Sequence, residues 1–551
     1  MILNMKYKKR ILLAMAGILI AFSHADSRKE VSAAVADAKS TSSAAKSADT
    51  KMEASLYPIH VMTKGEELYG YIDSTGSVVI DPQYMAAGNF SEGLAIVNQD
   101  NRYFVINTKG EVVLRTTNYL NDFHQGLASF LDSKTYKSGY INTEGKVVMK
   151  AAYDYAGNFD KNNTAIVAKE GKYYRINKQG KILKTYSLPS ENYYYDITDD
   201  GYVIFTNTST FLKGVRDLNG KIILKDNYSQ IIYLGEGLFG VKKKLPDAES
   251  YRANIMPAAL FNKNGKQLTP YKFYDLSVYN NKYASCTDSK NTYLINTKGK
   301  IITSIPKQEG RGSLTVLGNV VQADIDNKLS YLALDGSLIW KAPEVTTLSD
   351  GSTIRSVKVK PNKYDVVYYP ELEGLSNAEV QTQINNKLKN LFTAHRLKLT
   401  EKDELMVEDN FFAEQFNDLL MICKTGYDYP VGAAHGTPFR LYYFINTQTG
   451  DFYQFKDLFL KDSNYIKTLD NIVRKQMKAQ EKKEGITYDA KDGTYISENQ
   501  FFYLGKDALT IYFDSGEIAP YAAGFPKFEI PFSQISDLIN TEGEFWKAFQ
   551  K

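Results

Sequence analysis

From about residue 56 the chain is written in short apolar blocks broken by turn residues. In the clearest block, Tyr71-Ile72 and Val78-Val79-Ile80 flank Asp73-Ser74-Thr75-Gly76. Short apolar runs bounded by Asx and Gly predict a β-hairpin. The same turn returns as Ile106-Asn107-Thr108-Lys109-Gly110, Ile141-Asn142-Thr143-Glu144-Gly145 and Ile176-Asn177-Lys178-Gln179-Gly180, then around Gly220, Gly265, Gly299 and, more weakly, Gly336. Successive glycines lie 34, 35, 35, 40, 45, 34 and 37 residues apart. A period of this size marks a solenoid, propeller or array. An Asp or Asn stands three residues before the glycine in seven of the eight copies. An Asx side chain caps a tight turn and glycine takes the positive-φ position that closes it. A further strand recurs at Glu92-Gly93-Leu94-Ala95-Ile96-Val97, Gln125-Gly126-Leu127-Ala128 and Glu236-Gly237-Leu238-Phe239. Each unit therefore has three strands, or four if the segment from Tyr84 to Phe90 is extended.

Such a unit cannot bury its apolar face alone, and stacking or radial closure solves this while limiting exposed sheet edges. The expectation is a propeller-like arrangement of about eight meander units, with an open, coiled β-array as the other arrangement that satisfies the pattern. After Trp340 the period stops. Ser376, with Glu379 three residues on and Leu375 and Val380 as a staple, predicts a helix start. Val380, Ile384, Leu388, Leu391 and Phe392 continue it as one apolar stripe. A second helix begins near Asp462-Ser463, runs through Leu469, Val473 and Met477, and ends at Gly485. Strand-like runs at Phe439 to Asn446, Phe501 to Leu504 and Ala508 to Phe513 complete an α+β domain. The fold class is thus mainly β: a repeat array over 56–341, an α+β subdomain over 352–428 and a C-terminal domain over 429–545.

The N-terminus changes the compartment. Lys6, Lys8, Lys9 and Arg10 precede an apolar run from Ile11 to Phe22, and Ser23-His24-Ala25 offers a small-x-small cleavage site. This predicts a secretory signal peptide over 1–25, the run being short for a membrane span; the alternative is an uncleaved N-terminal anchor, and no transmembrane span is expected unless the signal is uncleaved. No Cys follows it. Residues 26–55, rich in Ala, Ser, Lys and Asp, read as a flexible spacer. The expected location is secreted or cell-surface, outside the cytoplasm. A net charge of +4 on 551 residues, with no dense basic stripe, argues against a nucleic-acid partner. The two cysteines, Cys286 and Cys423, fall in different domains of this division and are expected to be buried free thiols.

The unit YGYIDSTGSVVIDPQY…FSEGLAIV resembles the WG (KWG) repeat of bacterial proteins, with Tyr69 at the usual Trp position. The resemblance covers about 56 to 341 and implies a β-rich scaffold without an assigned activity. Farther on, YPVGAAHGTPFRLYYFINTQTGDFYQFKDLF (Tyr429 to Phe459) and FYLGKDALTIYFDSGEIAPYAAGFPKFEIPFSQISDLI (Phe502 to Ile539) resemble the extracellular domain shared by the anti-sigma factor RsiV and some cell-wall deacetylases. In RsiV-like proteins this domain recognises lysozyme, so the resemblance implies a lysozyme-like partner. No deacetylase catalytic domain is expected from the motifs present, and with only about ten residues before the apolar run no sigma-binding segment of the family's kind is expected either.

Candidate chemistry is sparse. There is no G-x-S-x-G, no P-loop and no H-E-x-x-H, and the histidines beyond His24 (His60, His124, His395 and His435) are scattered. No metal site, cofactor or catalytic residue is expected. Gly235-Glu236-Gly237-Leu238-Phe239-Gly240 matches a dinucleotide string, but no helix follows it and it aligns with the repeat strand. His435, in a loop between Pro430 and Pro438, and Pro520, Tyr521 and Phe525, in an aromatic loop, are the candidate ligand-binding residues. The expected function is a non-catalytic cell-envelope binding protein recognising a wall glycan, such as peptidoglycan, or a lysozyme-like protein. A wall-acting hydrolase and a structural surface scaffold are the competing readings.

Overall fold

The computed structural model describes residues 55–63, 66–99, 102–188, 192–490 and 493–550. The signal segment 1–25 and nearly all of the spacer 26–55 lie outside the described residues.

The chain is mainly β, and its first part is a series of antiparallel meanders, one for each repeat glycine. Unit 1 holds Tyr57–Thr63, Glu66–Ile72 and Val78–Tyr84; unit 2 holds Ala86–Ala87, Leu94–Gln99, Arg102–Asn107 and Val112–Thr116. The pattern repeats to unit 8, with Gly312–Leu317, Val320–Ile325, Lys328–Ala333 and Leu338–Lys341. Units 5 and 6 share one long strand, Ile222–Gly235.

Both recurring turns form for local reasons. Before the last strand of the unit, which in three-stranded unit 1 stands where the fourth strand stands in the others, Asp73 Oδ1 accepts from the Thr75 and Ser77 amides at 2.8 and 3.1 Å, and Asn107 Oδ1 from Lys109 and Glu111 at 3.0 Å each. Units 3 to 7 repeat this on Asn142, Asn177, Asp217, Asn262 and Asn296. Unit 8 has Ala333 at that place, and Asp335 caps Ser337 instead. Between the first and second strands, Glu92-Gly93, Gln125-Gly126 and Glu236-Gly237 all have positive φ, the two-residue turn whose twist suits a hairpin. The G-x-G-x-x-G string is therefore a β-turn and its following strand.

The turns also join the units. A Cβ on Gly110 of unit 2 would touch Ile80 of unit 1 at 3.4 Å; Gly145 meets Leu114 of unit 2 in the same way, and Gly180 meets Met149 of unit 3. Gly76 of unit 1 sits against the Ile339 carbonyl of unit 8. The Tyr331 hydroxyl of unit 8 donates to the Pro58 carbonyl at 2.5 Å, and Tyr57, Ile59 and Ile72 share a core with Val320, Leu329 and Tyr331. The last unit thus packs on the first as each unit packs on its neighbour, and the array closes into a propeller-like ring. Tyr71, not Tyr69, is the buried aromatic of the first signature: its hydroxyl donates to Gly88 O and its ring meets Phe90 edge-on, a pairing repeated by Tyr140 with Gly157 and Phe159.

The second part is built on a seven-stranded sheet from Val345–Thr347 to Phe452–Tyr453, antiparallel except where Val366–Glu373 lies parallel to Leu405–Phe416. Helix α1, Ala378–Thr393, covers one face on Leu420, Ile422 and Ile445. Helix α2, Tyr465–Glu484, and a three-stranded sheet within 502–531 cover the other on Leu419, Met421 and Phe444. A last helix, α3, is Glu544–Gln550. The α1 cap is Asn377 rather than Ser376: Asn377 is extended, and its Oδ1 accepts from the Glu379 and Val380 amides at 3.0 and 3.2 Å. Gly485, at φ 70°, ends α2.

Two groups of contacts, around Glu404 and around Asp326, join this domain to the ring. The 45-residue spacing between Gly220 and Gly265 accommodates a 3₁₀ segment, Asp247–Ile255, whose Tyr251 hydroxyl donates to Glu404 at 2.8 Å and whose Arg252 lies 3.2 Å from it. Asp326, between the second and third strands of unit 8, takes Lys360 at 2.6 Å, Lys358 at 3.1 Å and the Arg311 amide at 3.0 Å. Both contacts lie on the rim carrying the second-to-third connections. The Asx turns occupy the opposite rim.

Candidate functional site: two loops of the C-terminal domain

The two loops singled out in the sequence meet. Strands Leu419–Pro430 and Thr437–Asn446 pair antiparallel, and the stretch between them carries His435. Strand tyrosines pin this loop: the Tyr427 hydroxyl accepts from the Gly436 amide at 2.7 Å, and the Tyr429 hydroxyl donates to Ala433 O at 2.9 Å. Gly432, at φ 86°, packs so closely on Tyr251 of the repeat ring that a Cβ would lie 2.7 Å from the tyrosine Cβ. The second loop leaves Ala508–Tyr512 and returns as Lys527–Pro531. Pro520 opens a 3₁₀ turn, Tyr521–Ala523, that Gly524 closes at φ 67°.

The His435 ring stacks on Tyr521 with centroids 4.3 Å apart and planes 29° apart. The Tyr521 hydroxyl donates to Gly436 O at 3.0 Å, and His435 Nδ1 lies 3.0 Å from the same oxygen. Ser515 Oγ donates to Tyr521 O at 3.1 Å. Tyr521 keeps 39% of its surface exposed, and Pro520 and His435 are exposed beside it. Partial burial raises the Tyr521 pKa, with nearby Tyr427 adding to the shift, so the phenol stays a neutral donor. Phe525 behaves differently. Half-buried, it lies under the Arg440 guanidinium at 4.9 Å and edge-on to Tyr512 at 6.5 Å, where it anchors the loop's return.

Behind this surface lies a charge network that sequence reasoning missed. Arg396 forks onto Asp409 at 2.9 and 3.0 Å and onto Asp428 at 2.7 and 3.1 Å; Lys424 lies 3.1 Å from Asp409. Burial works against the Arg396 charge, but hydrogen bonds to Asp428 and Asp409 more than offset it and hold its pKa above the ordinary arginine value. Burial pulls the Lys424 pKa down, with Asp409 partly restoring it. Asp428 stands between Tyr427 and Tyr429, so the network fixes the strand end from which the His435 loop departs. Arg396, Asp409, Lys424 and Asp428 share no spacing in the sequence; only the sheet register brings them together.

Among the described residues no cluster of His, Cys, Asp and Glu is arranged to hold a metal ion. Cys286 and Cys423 are buried and free, and burial pushes each thiol up to about 12. No helix among the described residues is long and apolar enough to cross a membrane. The group centred on Tyr521 offers a flat aromatic face, a ring nitrogen and hydroxyl oxygens: contact chemistry on an exposed surface.

Comparison with known proteins agrees with both halves of the chain. Residues 69–103 and 139–173 match the WG containing repeat, and 456–533 match the protein family of unknown function DUF3298, a span that includes Pro520, Tyr521 and Phe525 but not His435. The anti-sigma-V factor RsiV of Bacillus subtilis is 28% identical over 214 residues, covering 36% of this chain and 74% of that protein. A DUF3298 family crystal structure from Bacteroides fragilis is 17% identical over 37% of this chain and 99% of that one, with a TM-score of 0.29. Another, from Pseudomonas aeruginosa, is 14% identical over 34% and 94%, with a TM-score of 0.26. The chain is thus similar to WG-repeat proteins in its first part and to RsiV and the DUF3298 family in its C-terminal domain.

Proposed function

We propose that the chain is an extracytoplasmic binding protein without catalytic activity of its own, and that its RsiV-like domain recognises a lysozyme-like protein through the surface centred on Tyr521. The observation that carries this reading is the stack of His435 on Tyr521, which joins loops 85 residues apart into one exposed aromatic face held from behind by Tyr427, Tyr429 and the Arg396 network. A rigid aromatic anchor ringed by polar groups suits a protein partner, since it loses little side-chain entropy on binding. Similarity to an anti-sigma factor points the same way: a sensing domain needs a recognition surface, not a reaction centre.

Hen lysozyme is the probe. Binding to the full-length protein, followed by calorimetry or surface plasmon resonance, is expected for the wild type. Tyr521→Ala is expected to weaken it by about tenfold or more, the effect of losing a hot-spot aromatic. Tyr521→Phe, which keeps the stack and loses only the bond to Gly436 O, is expected to weaken it less. Lysozyme that fails to bind the wild type, or binds Tyr521→Ala equally well, refutes the reading. Release of sugar or peptide from peptidoglycan at catalytic protein levels overturns the non-catalytic assignment.

A further inference from the structure

The ring has two rims, and they are used differently. Units 6 and 8 send their second-to-third connections to the C-terminal domain, through Tyr251 and Asp326. On the same rim, units 3 and 5 carry twin turns of another kind. In unit 3, Asp132 Oδ1 accepts from the Lys134 and Thr135 amides at 3.1 and 2.7 Å, and the Tyr136 amide returns to Asp132 O at 2.9 Å. In unit 5, Asn207 Oδ1 accepts from the Ser209 and Thr210 amides at 3.0 and 3.2 Å, and the Phe211 amide returns to Asn207 O at 2.8 Å.

Each turn ends on an aromatic in the left-handed region, Tyr136 at φ 54° and Phe211 at φ 57°. Bulky side chains are disfavoured there, and glycine would hold the same turn without strain. Nor do these rings gain by burial, being 59% and 70% exposed. Two more exposed aromatics flank them. Tyr119 pairs across to Leu131 and Tyr194 to Thr206, near the strand ends from which the two turns leave. They are 41% and 52% exposed. Strain without a packing return, repeated in two units, is the mark of a functional constraint.

We propose that this arc of aromatic rings on units 3 to 5 is a binding site for a neutral polysaccharide. Flat rings stack on the C–H faces of sugars, and the hydroxyls of Ser133, Thr135, Ser209 and Thr210 beside them suit sugar hydroxyls. Two stations separated by a whole unit call for a chain of sugars rather than one. The site lies in a different domain from the Tyr521 surface and does not depend on it.

The test is co-sedimentation of full-length protein with insoluble chitin, a neutral polysaccharide, and with phosphatidylglycerol vesicles, for the wild type and the double variant Tyr136→Gly, Phe211→Gly. The wild type is expected to sediment with the glycan and not with the vesicles. The double variant is expected to lose retention about tenfold or more, to keep its lysozyme binding, and to melt no lower than the wild type. A wild type that stays in solution or prefers vesicles, a double variant retained equally, or one that melts lower and so shows the rings serve packing, overturns the proposal.

Discussion

Replacing Asp326 by Asn tests how the ring holds the C-terminal domain. The Asp326 side chain is 2% exposed, and its carboxylate takes Lys360 at 2.6 Å, Lys358 at 3.1 Å and the Arg311 amide at 3.0 Å. Burial by itself raises its pKa, but Lys360, the Arg311 amide and Lys358 together leave it below the ordinary aspartate value. Asn keeps the shape and can keep the amide bond, so what is lost is two charge-assisted contacts. Each is worth about 1.5–3 kcal/mol when the partners are buried. Here the lysines are 41% and 30% exposed and recover hydration, which brings the expected loss to about 2 kcal/mol in all. The chain has two tryptophans, Trp340 in unit 8 and Trp546 in α3, so Trp340→Phe and Trp546→Phe backgrounds let fluorescence follow each domain separately through a guanidinium titration. Asp326→Asn is expected to shift the Trp546 transition to lower denaturant and to part it from the Trp340 transition. The sign with pH follows from the depressed pKa: the contribution is complete above the unfolded value of about 3.9 and is lost as pH falls through the folded value. The Asn variant should be flat across that acid window relative to wild type. Transitions that stay put and an unchanged acid limb would refute the role given to Asp326.

Other consequences can be checked in the same way. Asn107→Ala removes the acceptor for the Lys109 and Glu111 amides and is expected to cost about 1 kcal/mol, read as a lower denaturant midpoint of the ring. Tyr331→Phe deletes the bond to Pro58 O and is expected to cost about 1–3 kcal/mol and to speed proteolysis near residue 57, whereas an unchanged midpoint would deny that this contact closes the ring. A thiol reagent at pH 8 should find no reactive cysteine in the native protein and two after denaturation, because both thiols are buried and pushed up to about 12.

Much of the ring was legible because its determinants are local. The Asx-x-x-Gly spacing contains both the capping acceptor and the positive-φ residue, so seven caps could be read from seven side chains. Closure was not legible, since Tyr331 and Pro58 lie 273 residues apart and nothing in either unit distinguishes the end of an array from its middle. In the C-terminal domain the α1 and α2 stripes were plain, but the strands Leu405–Phe416 and Leu419–Pro430 escaped notice. In the second of these, Leu419 to Cys423 are all buried because helices cover both faces of the sheet, so no alternation marks it as a strand. His435 and Tyr521 were each conspicuous from loop composition, and only the packing of two hairpins shows that they belong together. The insertion that reaches Glu404 was visible only as the widest glycine spacing, without a hint of what it touches.

The seam between units 8 and 1 joins the ring by side-chain packing and the Tyr331 bond; among the described residues no strand from one end is woven into the sheet of the other. Units 5 and 6 are joined through a shared strand, whereas the seam relies on the side-chain packing used at the remaining boundaries. Duplication or loss of a whole unit would leave a packed boundary behind, but the angle between neighbouring units would then have to change for the ends to meet again, so the seam is where a change in copy number would first be felt.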